Sequence, residues 1–242
     1  MACLEADLPL SPLGGGADTT RFLSHPDFFV MRYFDIHTHR ISQEQNESAV
    51  FSLDLRVPFE LHPDRLYSAG IHPWYADYKQ WEVLKKWISH PRIVLVGEAG
   101  LDRLALTPPD IQEELFIRQI ELSEEAGKPL IIHCVKAWDE LLRVCRITHP
   151  VMPWIIHGFR GKKQLAEQLL GRGFYLSFGA RYHPEALQAA WTAGRLLLET
   201  DDNPFHIGGL YRRVSEELQI TEALLSQTVG SIFIPLITSP IP

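Results

Sequence analysis

From Met31 onward, short apolar or β-branched runs alternate with longer segments in which apolar residues recur every three or four positions. The short runs are typical of buried strands and the longer period of amphipathic helices. Eight runs predict strands: Tyr33 to His37, Val50 to Leu55, Tyr67 to Gly70, Ile93 to Gly97, Leu130 to His133, Pro153 to His157, Phe174 to Phe178, and Leu196 to Glu199. Five segments predict helices: Tyr78 to Ser89, Ile111 to Ala126, Ala137 to Arg146, Lys162 to Leu170, and Pro184 to Trp191.

Each predicted helix is followed by a strand, and this alternation indicates parallel βα units. Eight such strands in one domain predict an α/β fold of the closed (β/α)₈ type, the TIM barrel. The first third differs, because a short polar stretch, Ser42 to Ser48, joins strands one and two and the proline-containing "RVPFELHPDR" joins two and three. We therefore expect the first two outer helices to be shortened or missing. Missing helices would leave apolar strand surface exposed, so we expect a partner subunit or the N-terminal tail to cover it.

Residues 1–30 follow neither period and contain three consecutive glycines with scattered prolines. They predict a poorly ordered tail before a single barrel domain at residues 31–242. An overlong start site, with Met31 as the alternative start, would explain the tail equally well. The segment lacks the basic and apolar regions of a secretory signal, and no apolar run in the chain approaches the roughly 20 residues of a membrane helix. We expect no membrane contact.

Composition adds a location and one constraint on partners. The 242 residues are 45% hydrophobic and 22% charged, as in ordinary globular proteins. The three cysteines, Cys3, Cys134 and Cys145, form no CxxC pair, which argues for a reducing compartment and predicts a cytoplasmic protein. The formal net charge of −7 provides no overall attraction for nucleic acid, so a polyanion would need a local basic patch.

Residue types that bind metals close five of the predicted strands. Strand one ends in "DIHTH", strand four in "VLVGEAGLD", strand five in "LIIHC", strand six in "WIIHG" and strand eight in "LLLETDD". In (β/α)₈ barrels the carboxyl ends of the strands carry the active site. The pattern therefore predicts a metal site built from His37, His39, Glu98, His133, His157 and Asp201.

Four histidines and two carboxylates exceed the ligands of one tetrahedral ion. They suit two divalent cations that share a bridging carboxylate, for which Glu98 is the natural candidate. Such ligands accept zinc, manganese, nickel and, less readily, magnesium. Two adjacent cations lower the pKa of a shared water, so that hydroxide is available near neutral pH. We expect Asp201 to orient this water and accept its proton, with a helix N-cap as the alternative role.

The motifs resemble those of the TatD family of metal-dependent hydrolases, within the amidohydrolase-like barrels. The matching words are "DIHTH", "GIHP", "GEAGLD", "IIHC", "HGFRG" and "LLLETD", spread over residues 35 to 201 in the family's order. The resemblance implies that one metal is bound by His37, His39, Glu98 and Asp201, and the second by Glu98, His133 and His157. It also implies a deoxyribonuclease that uses divalent metal and acts on DNA.

Substrate contacts are predicted for His72 of "GIHP", and for Lys136 and Arg160, whose charges follow two ligand positions. A structural imidazole and solvated loop charges are the respective alternatives. Trp74 and Trp138 would stack on a base or belong to the core. The chain departs from the family pattern around these positions, with Val135 where the family has arginine. Two other functions remain open: a dinuclear hydrolase of another ester or of an amide, and a catalytically weak metal-binding scaffold.

Overall fold

The computed structural model describes residues 31–41 and 46–238. The predicted tail, residues 1–30, lies outside the described residues. One hydrophobic core runs through the described part of the chain.

All eight predicted strands are present and pair in parallel in chain order, from β1 to β8. Their bounds are Tyr33–Thr38, Glu47–Leu53, Leu66–Ala69, Ile93–Asp102, Leu130–Val135, Trp154–Ile156, Tyr175–Phe178 and Leu196–Leu198. Just beyond β8, Asp201 bridges to Thr38 of β1, and the N–H of His39 donates to the carbonyl of Asp201 at 3.2 Å. The sheet is thus a nearly closed barrel, which confirms the predicted (β/α)₈ fold.

Strand β4 continues to Asp102, five residues beyond the predicted end at Gly97. The prediction stopped at Gly97 because the glycines of "GEAG" indicate a turn. Instead, the β4–β5 register shifts between Val96 and Ala99, and β4 then runs on beside β5. Gly97 has a φ of +127°, and a side chain there would collide with the carbonyl of Ile131, so only glycine allows this approach.

Seven α-helices lie in the described part of the chain: α1 Lys79–Trp87, α2 Pro109–Ala126, α3 Trp138–Thr148, α4 Lys163–Leu170, α5 Pro184–Thr192, α6 Ile207–Leu218 and α7 Glu222–Thr238. The first five confirm the predicted helices. Helices α6 and α7 were not predicted. In α7 the helical period is hidden because apolar residues occur nearly all round the helix and Pro235 lies inside it.

No helix occurs between β1 and β2 or between β2 and β3 in the residues described, as predicted. Part of the uncovered surface is filled by the second link itself, where Phe59 packs on Trp87 with ring centroids 5.1 Å apart. Helix α7 covers β1, with Phe233 against Phe34. Across the described ranges, no single helix has the length and apolar composition needed to span a membrane, and the only pair that does, α6 with α7, is bent by 108°.

Candidate metal centre

The six side chains predicted as metal ligands lie together at the carboxyl-terminal mouth of the barrel. Every one of them sits on or directly after a strand: His37 and His39 at β1, Glu98 on β4, His133 on β5, His157 after β6, and Asp201 after β8. Four groups of three ligand atoms are close enough to hold an ion: His37, Glu98 and His157; His37, His39 and Asp201; His72, Glu98 and His133; and His157, Glu199 and Asp201.

Glu98 occupies the middle of this cluster. Its Oε1 lies 2.8 Å from His157 Nε2 and 3.4 Å from His37 Nε2. Its Oε2 lies 3.3 Å from His39 Nε2. Glu98 thus lies between His157, predicted to bind one cation, and His37 and His39, predicted to bind the other.

Asp201, after β8, faces two of these three histidines, His37 and His39. Its Oδ1 lies 3.7 Å from His37 Nε2 and 3.7 Å from His39 Nε2. The backbone of Asp201 is left-handed, with a φ of +54°, and its N–H donates to the carbonyl of His37 at 3.0 Å. The closing contact of the barrel therefore positions Asp201.

Asp35, two residues before His37, secures this seam. Its buried carboxylate accepts hydrogen bonds from the N–H of His37 at 3.2 Å, the N–H of Thr200 at 3.1 Å and the hydroxyl of Thr200 at 2.6 Å. Burial raises the pKa of Asp35 well above its ordinary value, although the bonds from Thr200 oppose this. Asp35 thus joins β1 to the segment after β8, and it makes no contact with the ligand atoms.

Several buried polar atoms of the cluster have no hydrogen-bond partner within the described residues. They are both ring nitrogens of His37, Nδ1 of His157, and Oε2 of Glu199. A buried polar atom without a partner costs roughly 1–3 kcal/mol. A cation bound at Nε2 of His37, which faces Glu98 and Asp201, would supply the partner that this atom lacks, so the residues present fit divalent metal.

The charges of the cluster are consistent with a cationic occupant. Burial raises the pKa of Glu98, but the charges of His37 and His157 outweigh burial and hold this pKa well below its usual range. Burial lowers the pKa of His157, whereas Glu98 and Glu199 raise it well above its ordinary value. Without metal, a proton on an imidazole supplies the positive charge that these carboxylates require.

Asp102, the last residue of β4, was not predicted as a site residue. Its Oδ2 lies 3.0 Å from Nε2 of His133 and accepts a hydrogen bond from the indole N–H of Trp74 at 2.5 Å. The other ring nitrogen of His133 faces His157 at 3.2 Å. Carboxylates in this position orient metal-binding histidines. Asp102 is the final residue of "GEAGLD", so the sequence could have indicated it as a strand-end acid. It was overlooked because the predicted strand stopped at Gly97.

Glu199 was also missed, although it belongs to "LLLETD". Its side chain is fully buried, its Oε1 accepts a hydrogen bond from the N–H of Gly158 at 2.6 Å, and the same oxygen lies 3.4 Å from Nδ1 of His157. Glu199 therefore lies next to the ring nitrogen of His157 that faces away from Glu98, much as Asp102 lies next to the outer ring nitrogen of His133. A glutamate at the end of an apolar strand is a weak sequence signal for a site residue. The direction of its side chain is set by the closed barrel and cannot be read from the strand alone.

A cavity of about 310 Å³, the metal-side cavity, opens over the cluster. Its lining includes His72, Trp74, Tyr75 and Arg56 in addition to all of the predicted ligand residues except the buried His37. Trp74 is 51% exposed, and Arg56 lies 3.6 Å above the ring of Tyr75 while its guanidinium donates to the carboxylate of Asp54. Burial lowers the pKa of His72 to about 4, although the charge of Glu98 opposes this shift, so the ring is neutral at neutral pH.

The other two residues predicted to contact substrate, Lys136 and Arg160, lie outside the lining of this cavity. Both are exposed and follow β5 and β6 at the same mouth of the barrel. Their contact with a substrate stays a prediction. Trp138 packs edge-on against the buried Phe159 with ring centroids 6.0 Å apart, which agrees with the core alternative for this residue.

The sequence of this chain matches one known protein family over most of the barrel. The family described as "TatD related DNase" matches residues 34–222, which include all six ligand residues. The chain belongs to the TatD family.

Curated relatives in the TatD family match a little over half of the chain. An "Uncharacterized metal-dependent hydrolase YabD" of Bacillus subtilis is 33% identical over 150 residues, which are 57% of this chain and 59% of the relative. A "3'-5' ssDNA/RNA exonuclease TatD" of Erwinia billingiae is 32% identical over 146 residues, 55% of this chain and 56% of the relative. The matched part thus spans little more than half the length of these TatD relatives.

Two solved structures share the TatD barrel. The crystal structure of YjjV, a TatD homologue from Escherichia coli, superposes with a TM-score of 0.73 at 20% identity and covers 87% of this chain and 99% of that chain. A TatD family hydrolase from Entamoeba histolytica gives a TM-score of 0.66 at 14% identity, with the same coverage. At these identities the likeness establishes the fold.

Proposed function

We propose that this chain is a metal-dependent hydrolase that cleaves phosphodiester bonds of single-stranded nucleic acid, DNA in particular, with two divalent cations. The observation that carries the proposal is the position of Glu98, whose carboxylate lies within 3.4 Å of His157 on one side of the cluster and of His37 and His39 on the other. Relatives in the same family named as single-stranded DNA and RNA exonucleases support the substrate class.

In this proposal His37, His39, Glu98 and Asp201 hold one cation, and Glu98, His133 and His157 hold the second. The ions, when bound, supply an activated water near neutral pH and stabilise negative charge on the attacked phosphorus. Zinc, manganese, nickel and magnesium are the ions that such ligands accept. Glu98 keeps the two sites adjacent, while Asp102 and Glu199 orient His133 and His157 from behind.

Asp201 is the residue that we assign to proton transfer. It lines the metal-side cavity and is partly exposed, unlike the buried Glu98. Its exposed oxygen is available to accept a proton from the attacking water and to release it to solvent. Glu98 and Asp201 are therefore the two acids on which the reaction depends.

The aromatic side of the cavity supports a nucleic-acid strand as substrate. Trp74 is exposed, yet its orientation is held by the hydrogen bond to Asp102, which also contacts His133. A base stacked on Trp74 would lie beside the metal centre, and Arg56 on Tyr75 provides a guanidinium for a phosphate. Lys136 and Arg160 would contact the strand farther out, and His72 would donate to it at the cluster.

One observation favours a second substrate class. The cavity lining contains four acids, Asp54, Glu98, Asp201 and Asp202, and a single basic side chain, that of Arg56, besides its histidines. The acids reduce the attraction for an anion, so a neutral ester or amide is the second candidate. A catalytically weak metal-binding scaffold is the outcome if neither class is hydrolysed.

The experiment is a chelation and metal-return series on purified protein, with metal content measured at each step. A 5′-labelled single-stranded DNA, the matching RNA, a nitrophenyl phosphate diester and a nitrophenyl acyl ester serve as substrates. We expect DNA cleavage that chelation abolishes and Mn²⁺, Zn²⁺, Ni²⁺ or Mg²⁺ restores. Cleavage of the acyl ester alone would replace the proposal with its second candidate.

Matched arginine variants test which cations contact the strand. Arg56→Gln changes the cavity lining, whereas Arg160→Gln changes an exposed cation outside it. We expect Arg56→Gln to raise KM for DNA several-fold, with an effect that shrinks at high salt. A larger effect of Arg160→Gln on KM would show that Arg160, and not Arg56, makes the main contact with the DNA strand.

A further inference from the structure

A second cavity, the rear cavity, lies at the opposite end of the barrel from the metal centre. Its volume is about 570 Å³, within the range of small-molecule sites. It is lined by Trp154 and Tyr175, the first residues of β6 and β7, and by Arg195, immediately before β8. The amino ends of these strands point away from the mouth that holds Glu98, so no ligand of the metal centre reaches this site.

The rear cavity is strongly basic. Its lining contains Arg146, Arg172, Arg195 and His149, and neither an aspartate nor a glutamate from the described residues. In the described ranges, none of the three guanidiniums lies within 4 Å of a carboxylate. Three uncompensated guanidiniums around one cavity leave a positive charge that a bound anion would neutralise.

Contacts with the protein hold two of these arginines in place without using all their donors. Arg195 donates to the carbonyl of Gly173 at 2.7 Å and lies 4.9 Å above the ring of Tyr175. Arg172 donates to the carbonyl of Gln168 at 3.0 Å. A guanidinium has five N–H donors, so both side chains retain donors for a ligand.

One acid, Glu124, is hydrogen-bonded to the backbone of two residues that line the cavity. Oε1 of Glu124 accepts hydrogen bonds from the N–H groups of Val151 and Met152, both at 2.9 Å. These bonds secure the loop that precedes β6, and Glu124 is not part of the cavity lining. No ion pair within 4 Å joins Glu124 to Arg146, Arg172 or Arg195 in the part of the chain that the structure describes.

The remaining lining suits an organic group. Leu142, Val151, Met152, Phe174 and Tyr175 are apolar or aromatic. Trp154 also lines the cavity, is 2% exposed, and its indole N–H has no acceptor among the residues described. A ligand with hydrogen-bond acceptors could supply the partner that this buried donor lacks.

We propose that the rear cavity binds an organic phosphate monoester of about the size of a nucleotide. The guanidiniums of Arg146, Arg172 and Arg195 hold the phosphate oxygens, because this planar group binds phosphate through paired hydrogen bonds. The aromatic and apolar lining contacts the organic part. This site is independent of the hydrolytic reaction and needs no metal.

Calorimetric titration of the full chain with adenosine 5′-monophosphate, inorganic phosphate and adenosine tests the proposal. Arg146→Gln and Arg172→Gln change exposed residues of the cavity, and Arg181→Gln removes the same charge from an exposed arginine outside both cavities. Glu98→Gln and chelated protein report binding at the metal centre. Thermal unfolding shows that each variant is folded.

We expect the nucleotide to bind more tightly than inorganic phosphate and adenosine not to bind. Each of the two cavity substitutions should weaken nucleotide binding on the order of 10-fold, since each removes charge-assisted hydrogen bonds. Arg181→Gln, Glu98→Gln and chelation should leave this binding in place. Loss of all binding in Glu98→Gln would assign the nucleotide to the metal centre and overturn the proposal, as would equal effects of Arg172→Gln and Arg181→Gln, or equal binding of adenosine.

Discussion

At the scale of single residues, Glu98 has the largest expected effect. Glu98→Gln removes a negative charge that faces His37, His39 and His157, so both metals should bind more weakly and hydrolysis should nearly vanish. Metal content after dialysis and the rate of single-stranded DNA cleavage measure these effects. Glu216→Gln, an exposed glutamate on α6, is the matched control and should change neither. Full metal content in Glu98→Gln would contradict the bridging role.

Asp201 allows metal binding to be separated from proton transfer. Asp201→Asn keeps an oxygen ligand but is a far poorer proton acceptor. The rate should therefore fall on the order of 10²-fold or more while bound metal declines less. Single-turnover rates at saturating metal provide the measurement. An unchanged rate would exclude Asp201 as the proton acceptor.

Single residues also show which parts of the candidate site the sequence could predict. His37, His39, Glu98, His133, His157 and Asp201 were predictable because each closes a strand, and parallel strands of a barrel end at one mouth. Asp102 and Glu199 were not, because their role depends on which atom of His133 or His157 they face. Arg56 was missed for a similar reason, since it lies on a link with no periodic pattern.

At the scale of elements, helix α7 packs closely on β1. A Cβ atom on Gly230 of α7 would lie 2.6 Å from the ring of Phe34, closer than a carbon contact allows. Alanine normally favours a helix over glycine by up to about 1 kcal/mol. At this position we expect the opposite, a loss of about 1–3 kcal/mol from overpacking.

Gly209 in α6 provides the matched control, because a Cβ atom there would meet nothing within 4 Å. Gly209→Ala should therefore be neutral or slightly stabilising. Urea unfolding of both variants gives the two free energies of unfolding. If Gly230→Ala were as stable as Gly209→Ala, helix α7 would not pack on β1 as closely as described.

Element boundaries show where pattern reading failed. The glycines of "GEAG" favour a turn, so the sequence predicts that β4 ends there. In the structure β4 continues through them, because it pairs with β5 as far as Val135. Helix α7 was missed because its apolar residues are not confined to one stripe. In β4, contacts with a neighbouring strand outweighed local preference; in α7, the pattern itself was uninformative.

At the scale of the whole molecule, the predicted tail can be tested by truncation. All six ligand residues lie at or beyond His37, and both ends of the seam that positions them lie within residues 31–238. Deletion of residues 1–30 should therefore leave metal content and hydrolysis unchanged. Metal analysis, kinetics and light scattering of the shortened and full chains provide the data. A large loss of activity would mean that the tail completes the site, and a change in oligomeric state would connect it to self-association.

The sequence by itself determined the barrel, the lack of full outer helices after β1 and β2 in the residues described, and the candidate metal-binding residue types at its mouth. These properties follow from periodicity and from the geometry of parallel strands, both of which are local or repeated along the chain. Only the tertiary structure decided which oxygen of Glu98 faces which imidazole, which acids stand behind His133 and His157, and which arginines gather at the rear cavity. Such pairings depend on distances between residues far apart in the chain, and no pattern along the sequence records them.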